Sequence, residues 1–342
     1  MKEYVIALDA MGGDQAPDAI VAGAIAALRC FSDIRILLAG PQARLEALLG
    51  DARDVRDRVE ILPADEVIEM EEPPMLAVRK KVNSSMVQAM MAVREKRAGA
   101  VVSAGNTGAI LAGGMLRIGR IQGIERPALA PVIPGAKKPF LLIDAGANVD
   151  CQPKYLVQFG LMGSVYMKTV MGVEDPAVGL VNIGAEAEKG NKLTKETYQL
   201  MQAQTSYRFA GNAEARDIPT GDFDVVVADG FDGNIILKYT EGIVGAMMGM
   251  LKANLMASRV SKIGAALSRP AFRKCKRSMD YNAYGGAPLL GVEGAVIKAH
   301  GASGETAIMN ALRQARDMVS SDVVGKISAG LSGLVDEVHN ND

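Results

Sequence analysis

Tyr4-Val-Ile-Ala-Leu-Asp9-Ala-Met-Gly-Gly-Asp14 is a short apolar run closed by an aspartate and two glycines, and a helical pattern from Ala16 to Leu28 follows it. The same grammar repeats outward along the chain. Ile34–Ala39 precedes a helical Gln42–Leu49, and Ala100–Ser103 precedes Gly108–Ile118. Phe140–Asp144, Val178–Asn182 and Asp224–Ala228 each lead into a glycine turn and another helical stretch. Strands that alternate with helices predict a mainly parallel sheet covered on both faces, so the expected fold class is a doubly wound, three-layer α/β/α sandwich.

The 342 residues are 49% hydrophobic and 23% charged, enough apolar surface for a substantial core. No linker or repeat divides them, so residues 1–342 are read as a single unit, with two closely joined lobes. Asp51–Asp57, Asp65–Glu72 and the proline-rich 127–139 segment are read as loops or lobe edges. A net charge of −1 and the absence of tryptophan argue against nucleic acid as a partner. Cys30, Cys151 and Cys275 are too few and too scattered for a disulfide framework or a metal motif, which fits a reducing, cytoplasmic setting. The longest apolar run, Gly242–Leu251, is too short to span a bilayer.

Glycine is abundant, at 37 residues, and it gathers in six turns that follow strands. These are Asp9–Asp14, Ser103–Gly108, Asp144–Asn148, Asn182–Asn191, Asp229–Asn234 and His300–Gly304. In an open α/β sheet such turns meet at the carboxyl ends of the strands, where helix N-termini aim N–H groups at an anion. Six turns of one style on one sheet edge point to an anion-binding enzyme. Neither GxxxxGK[ST] nor GxGxxG occurs, so the usual nucleotide fingerprints are missing. With only His300 and His339 as histidines, and aspartates scattered over separate turns, no metal is expected.

Taken in order, Asp9–Asp14, Ser103–Ala109, Asp144–Asn148, Asp229–Asn234, Tyr284-Gly-Gly-Ala-Pro-Leu-Leu-Gly291 and His300–Ser303 resemble the bacterial phosphate acyltransferase family of phospholipid synthesis. The Ile68–Lys81 segment, through Ser85, fits the same pattern. The likeness covers nearly the whole chain. It departs from the family at Gly184-Ala-Glu-Ala-Glu-Lys189, where consecutive glutamates are common, which leaves the role of Glu186 open. The resemblance implies a fold like that of the isocitrate and isopropylmalate dehydrogenases and phosphotransacetylases, a homodimer and a site between lobes. It implies acyl-acyl carrier protein and inorganic phosphate as substrates, no cofactor, and delivery of acyl phosphate to a membrane-bound glycerol-3-phosphate acyltransferase.

Phosphate is a nucleophile and a thioester an electrophile, so this chemistry needs alignment and charge handling more than a protein nucleophile. On the resemblance, Gly12, Gly13, Ser103, Asn106, Thr107, Gly108, Asn148 and Ser303 are the expected phosphate-binding residues. Lys189, His300, Asn234 and Asp229 are the expected catalytic set. Lys189 is read as counter-charge, Asn234 or Ser303 as oxyanion donor, and His300 or Lys189 as proton donor to the leaving thiolate. Asp9, Asp144 and Asp229 are read as supports for the turns, and an acyl-cysteine at Cys151 is disfavoured because no base accompanies it in sequence.

One stretch stands apart. Between Lys252 and Met279 lie eight basic residues and no acid. Apolar positions 244, 247, 248, 251 and 255 share one helical face, and 256, 260, 263 and 267 define another, so a bend near Ala253–Ala257 is expected, with Pro270 ending or kinking the second helix. Residues 243–280 are therefore read as a basic amphipathic arm. Arg259, Lys262, Arg269, Arg273 and Lys274 would suit acyl carrier protein or peripheral contact with an anionic membrane on its inner face.

Overall fold

A computed structural model describes residues 3–279 and 281–339. Twelve strands run β1 (Tyr4–Asp9), β2 (Ile34–Gly40), β3 (Val59–Pro63), β4 (Ala100–Ser103), β5 (Ala128–Leu129), β6 (Val132–Ile133), β7 (Phe140–Ile143), β8 (Ala177–Asn182), β9 (Arg208–Glu214), β10 (Val225–Val227), β11 (Ala287–Leu290) and β12 (Ala295–Lys298). The helices are α1 (Asp18–Cys30), α2 (Gln42–Leu49), α3 (Pro74–Lys80), α4 (Ser85–Arg94), α5 (Thr107–Gly113), α6 (Pro153–Thr169), α7 (Lys192–Gln202), α8 (Gly230–Leu255), α9 (Arg259–Leu267), α10 (Arg269–Ser278), α11 (Glu305–Ser320) and α12 (Val323–His339).

The mainly parallel α/β sandwich is present, divided over two sheets. Seven strands order as β3-β2-β1-β4-β12-β11-β5 and five as β6-β7-β10-β8-β9. Within the first, β3, β2, β1, β4 and β12 are parallel, and β11 and β5 pair antiparallel at the edge. Within the second, β7, β10, β8 and β9 are parallel and β6 is antiparallel. The 127–139 segment, read as a loop or lobe edge, holds β5 and β6, the edge strands of the two sheets, and carries the chain from one sheet to the other. Leu129 N–H donates to Asp144 Oδ1 at 2.9 Å and Ala145 N–H returns to the Leu129 carbonyl at 2.8 Å, which pins this passage to the end of β7.

Alternation along each strand produces the layers. Ile6 and Leu8 pack with Ile20, Ala24 and Leu28 of α1 and Ile308 and Leu312 of α11, whereas Ala7 faces Met86, Met90 and Ile110 of α4 and α5. In the second sheet Leu141, Ile143, Val225 and Val227 pack on Phe159, Met162 and Tyr166 of α6. The opposite side chains, Leu142 and Val226, meet Ile236 and Leu237 of α8. The α1/α11/α6 side is one continuous core across both sheets, and each large side chain fully buried there contributes about 1.5–3 kcal/mol.

Helix α8 is the bridge to the arm. It starts at Gly230, before the expected arm, and runs 26 residues, with only its two N-terminal glycines, Gly230 and Gly233, fully buried. Of its expected apolar face, Met247 and Leu251 are exposed and Val244, Met248 and Leu255 are half-buried, and Tyr239 and Met250 are exposed as well. The bend falls at 256–258, and Pro270 opens α10 rather than interrupting α9. Arg259, Lys262, Arg269, Arg273 and Lys274 are exposed. Among the described residues no helix is long and apolar enough to cross a membrane.

Candidate active site

Three turns meet at the carboxyl edge of the seven-stranded sheet. Asp9 ends β1 as a buried carboxylate that accepts from Ser103 Oγ at 2.6 Å and from the Met11 N–H at 3.2 Å. Ser103 ends β4, and its Oγ accepts from the Gly105 N–H at 3.1 Å, so one side-chain bond locks the first two turns together. Gly12 sits in their elbow, where a methyl would lie 2.6 Å from Asp9 Oδ2 and 2.7 Å from the Gly105 nitrogen. Gly13 adopts a φ of 104° and backs onto Ala104, so glycine is required at both positions. The third turn joins through Asp14, whose N–H donates to the Gly301 carbonyl at 2.8 Å. Burial pushes the Asp9 carboxyl above its ordinary value, against the pull of its donors from Ser103, Ser85, Met11 and Gly12.

Asn106 caps α5. Its Oδ1 accepts from the Ala109 N–H at 3.0 Å and its Nδ2 donates to the Met70 carbonyl at 2.7 Å, which ties the turn to the acidic loop before α3. The side chains of Ser103 and Asn106 are thus engaged within the protein. What this turn leaves for a ligand is the Thr107 and Gly108 N–H groups at the start of α5, which donate to no described residue.

The β12–α11 turn differs. Lys298 ends β12 opposite Ser103 in register, and Ala299 N–H donates to the Ser103 carbonyl at 2.9 Å. Its half-buried ammonium makes no hydrogen bond and no ion pair with any described residue. The charges that act on it are Lys238 and Glu241 of α8, and these already bridge each other at 2.8 Å. Burial first, then repulsion from Lys238, holds Lys298 below the ordinary lysine value. His300 Nδ1 accepts from the Ala302 N–H at 3.2 Å, which leaves the proton of the neutral ring on Nε2. Burial and the Lys298 charge hold that imidazole below its ordinary value, so it is neutral at pH 7. Ser303 is 4% exposed and its hydroxyl has no partner among the described residues. No side chain caps α11, whose first N–H groups point out of a 16-residue helix.

On the five-stranded sheet the turns are closed. Asp144 accepts at Oδ1 from Leu129, Gly146 and Ala147 N–H groups, and at Oδ2 from Ala147 N–H, Asn148 N–H and Asn148 Nδ2, all within 3.2 Å. Asn148 Nδ2 also donates to the Pro127 carbonyl at 2.8 Å. Asp229 caps α8 by accepting from the Asp232 N–H at 2.8 Å, and Gly230 N–H donates to the Asn148 carbonyl at 2.7 Å. Asn234, exposed in the first turn of α8, stands against Gly146. Lys189 is exposed on its own turn, held through its backbone, with its carbonyl accepting from Asn182 Nδ2 at 3.1 Å and its N–H donating to the Glu186 carbonyl at 3.2 Å. Glu186 likewise contributes its carbonyl, to Asn212 Nδ2 at 2.9 Å, and its side chain is exposed. Cys151 has its thiol pushed up to about 12 by burial and by Asp144, so it stays protonated.

The six turns therefore occupy two edges, three on each sheet, instead of the single edge expected. Helix α8 spans the difference, because it starts beside Asn148 and Asn234 and brings Lys238 and Glu241 within electrostatic range of Lys298 and His300.

Residues 4–326 match the model of a family described as fatty acid synthesis protein. The chain belongs to that family. It is 50% identical over 323 residues to the phosphate acyltransferase of Clostridium perfringens, covering 94% of this chain and 95% of the relative. It is 48% identical over 332 residues to the phosphate acyltransferase of Clostridium botulinum, covering 97% and 99%. Among solved structures, a phosphotransacetylase from Streptococcus pyogenes superposes with a TM-score of 0.62 at 14% identity over 93% of this chain and 94% of that one. The EutD phosphotransacetylase from Staphylococcus aureus gives 0.61 at 13% identity, with the same coverage. At that identity the two structures establish the shared fold.

Within this family member, Lys298 is the group that sequence reasoning passed over. Ala295-Val-Ile-Lys298 reads as a strand with a charged end, and nothing local says that Lys238 and Glu241 of α8 will act on the ammonium. The signal available was its place, two residues before His300.

Proposed function

We propose that this member of the family transfers a long-chain acyl group from acyl carrier protein to inorganic phosphate, giving acyl phosphate for phospholipid synthesis. The observation that carries the reading is the β12–α11 turn, where an uncapped helix N-terminus and a buried Ser303 hydroxyl, unpartnered among the described residues, follow β12 on the sheet edge that also carries the Gly12–Gly13 and Thr107–Gly108 turns. Such a convergence of unspent donors suits a small anion.

The chemistry balances without a protein nucleophile. An oxygen of HPO₄²⁻ attacks the thioester carbonyl, the C–O bond forms, the C–S bond breaks, and the phosphate proton ends on the pantetheine sulfur. The protein supplies position and charge. Gly12, Gly13, Thr107, Gly108 and Ser303 hold the phosphate, with Ser103 and Asn106 fixing the turn that presents it. Asn234 and the His300 Nε2–H serve the carbonyl oxygen as charge develops there. A neutral His300 is a hydrogen-bond donor in this step, not a reservoir of acid. Lys189 adds counter-charge from the second sheet, and Asp229 and Asn148 fix the start of α8. The raised Cys151 thiol supports direct attack over an acyl-cysteine.

The two sheets are read as lobes of one unit, residues 1–342. The exposed apolar row on α8 suits a homodimer, and the basic α9–α10 segment suits reversible contact with an anionic membrane or acyl carrier protein, close to the glycerol-3-phosphate acyltransferase that would take the product. One experiment addresses both parts. With labelled phosphate, acyl phosphate should form from palmitoyl-acyl carrier protein and not from acetyl-CoA, and an Arg259→Glu/Lys262→Glu/Arg269→Glu variant should no longer sediment with anionic vesicles, keeping this activity if the arm serves the membrane and losing it if the arm docks the carrier. Equal use of acetyl-CoA would favour a phosphotransacetylase, and unchanged sedimentation would remove the membrane role.

A further inference from the structure

A lysine drawn partly out of water and given no acid to pair with is costly, and proteins seldom keep one without use. Lys298 is in that position. It ends β12, in register with Ser103 at the end of the neighbouring β4, and the next residues are Ala299, bonded to the Ser103 carbonyl, and His300. The acid that acts on it, Glu241, is committed to Lys238. Five residues on, in the same turn, Ser303 buries a hydroxyl that also bonds nothing. Two donors of different chemistry, one cationic and one neutral and neither bonded to a described residue, thus lie on the connection that leads from β12 into the uncapped N-terminus of α11. That combination is complementary to a compact anion of more than one negative charge.

We propose that the Lys298 ammonium is the counter-charge that binds the phosphate nucleophile, in a site completed by the Ser303 hydroxyl and the N–H groups opening α11. The assignment rests on the phosphate acyltransferase reading. It gives the seven-stranded sheet its own cation, so that phosphate is charge-balanced before the acyl donor arrives.

The test compares the parent with Lys298→Met, which keeps the aliphatic stem, and Lys298→Arg, which keeps the charge. Lys298→Met should raise the phosphate KM about tenfold or more while the acyl carrier KM stays within about twofold. Its Tm in phosphate-free buffer should be unchanged or higher, because an unpaired buried charge has been removed. Lys298→Arg should recover part of the phosphate affinity. With only two histidines in the chain, the His300 ring protons also report phosphate binding by NMR without any turnover. Phosphate should move that signal in the parent and fail to at the same concentration in Lys298→Met. A Lys298→Met protein that loses stability or folding, or that keeps the parental phosphate KM and NMR response, overturns the assignment. If the parent releases no carrier, the acyltransferase reading falls, and the NMR titration still decides whether Lys298 binds phosphate.

Discussion

Asp144–Asn148 and His300–Gly304 are turns of similar composition at the ends of parallel strands, yet their donors have opposite fates. In the first, one carboxylate collects N–H groups from Leu129, Gly146, Ala147 and Asn148, and the Asn148 amide is spent on Asp144 and Pro127. In the second, Ser303 Oγ and the Lys298 ammonium that precedes the turn have nothing to bond, and α11 begins without a cap. Glycine and a small polar residue are therefore ambiguous in sequence: they build a closed joint as readily as a binding site. Buried donors left over after the fold is complete distinguish the two.

The contrast is most severely tested by removing the acceptor from the closed turn. Asp144→Ala leaves several buried N–H groups without a partner and frees the β5 passage from β7, so unfolding free energy in urea should fall by about 3 kcal/mol or more. A loss below about 1 kcal/mol would show that water replaces the carboxylate and that this joint is not closed.

The opposite manipulation should have the opposite signature. Ser303→Ala removes a hydroxyl that the fold does not use, so stability should hold or rise by up to about 1 kcal/mol, while the phosphate KM rises by roughly threefold to tenfold. If Ser303→Ala instead destabilises the protein and leaves phosphate affinity untouched, the hydroxyl belongs to the scaffold and the two turns are alike.

Much of the fold was legible, and the reasons are local. Tyr4–Leu8 and Ile34–Ala39 extend by one residue to β1 and β2, and Gln42–Leu49 is α2 as read, because period and turn residues mark such elements. Gly108–Ile118 is divided into α5 and a π-helical turn over Gly114–Ile118, a change of winding that apolar spacing does not encode. The two-residue strands β5 and β6 have no period to detect, so the passage between sheets looked like a loop, and six turns looked like one edge. At the site, the glycines and capping residues were readable from turn chemistry. The setting of Lys298 was not, since the charges that act on it, Lys238 and Glu241, lie on α8, about sixty residues earlier in the chain, and since it depends on what remains unpaired after packing.

The central claim is that the turns align two reactive substrates and the protein forms no covalent bond to either. Quenched incubation of the enzyme with palmitoyl-acyl carrier protein, first without and then with phosphate, tests it by intact mass and by release of carrier. The account predicts no acyl adduct on the chain, carrier retained until phosphate is added, and release that then tracks phosphate. A stoichiometric burst of carrier before phosphate, with palmitoyl mass on the protein, would contradict it.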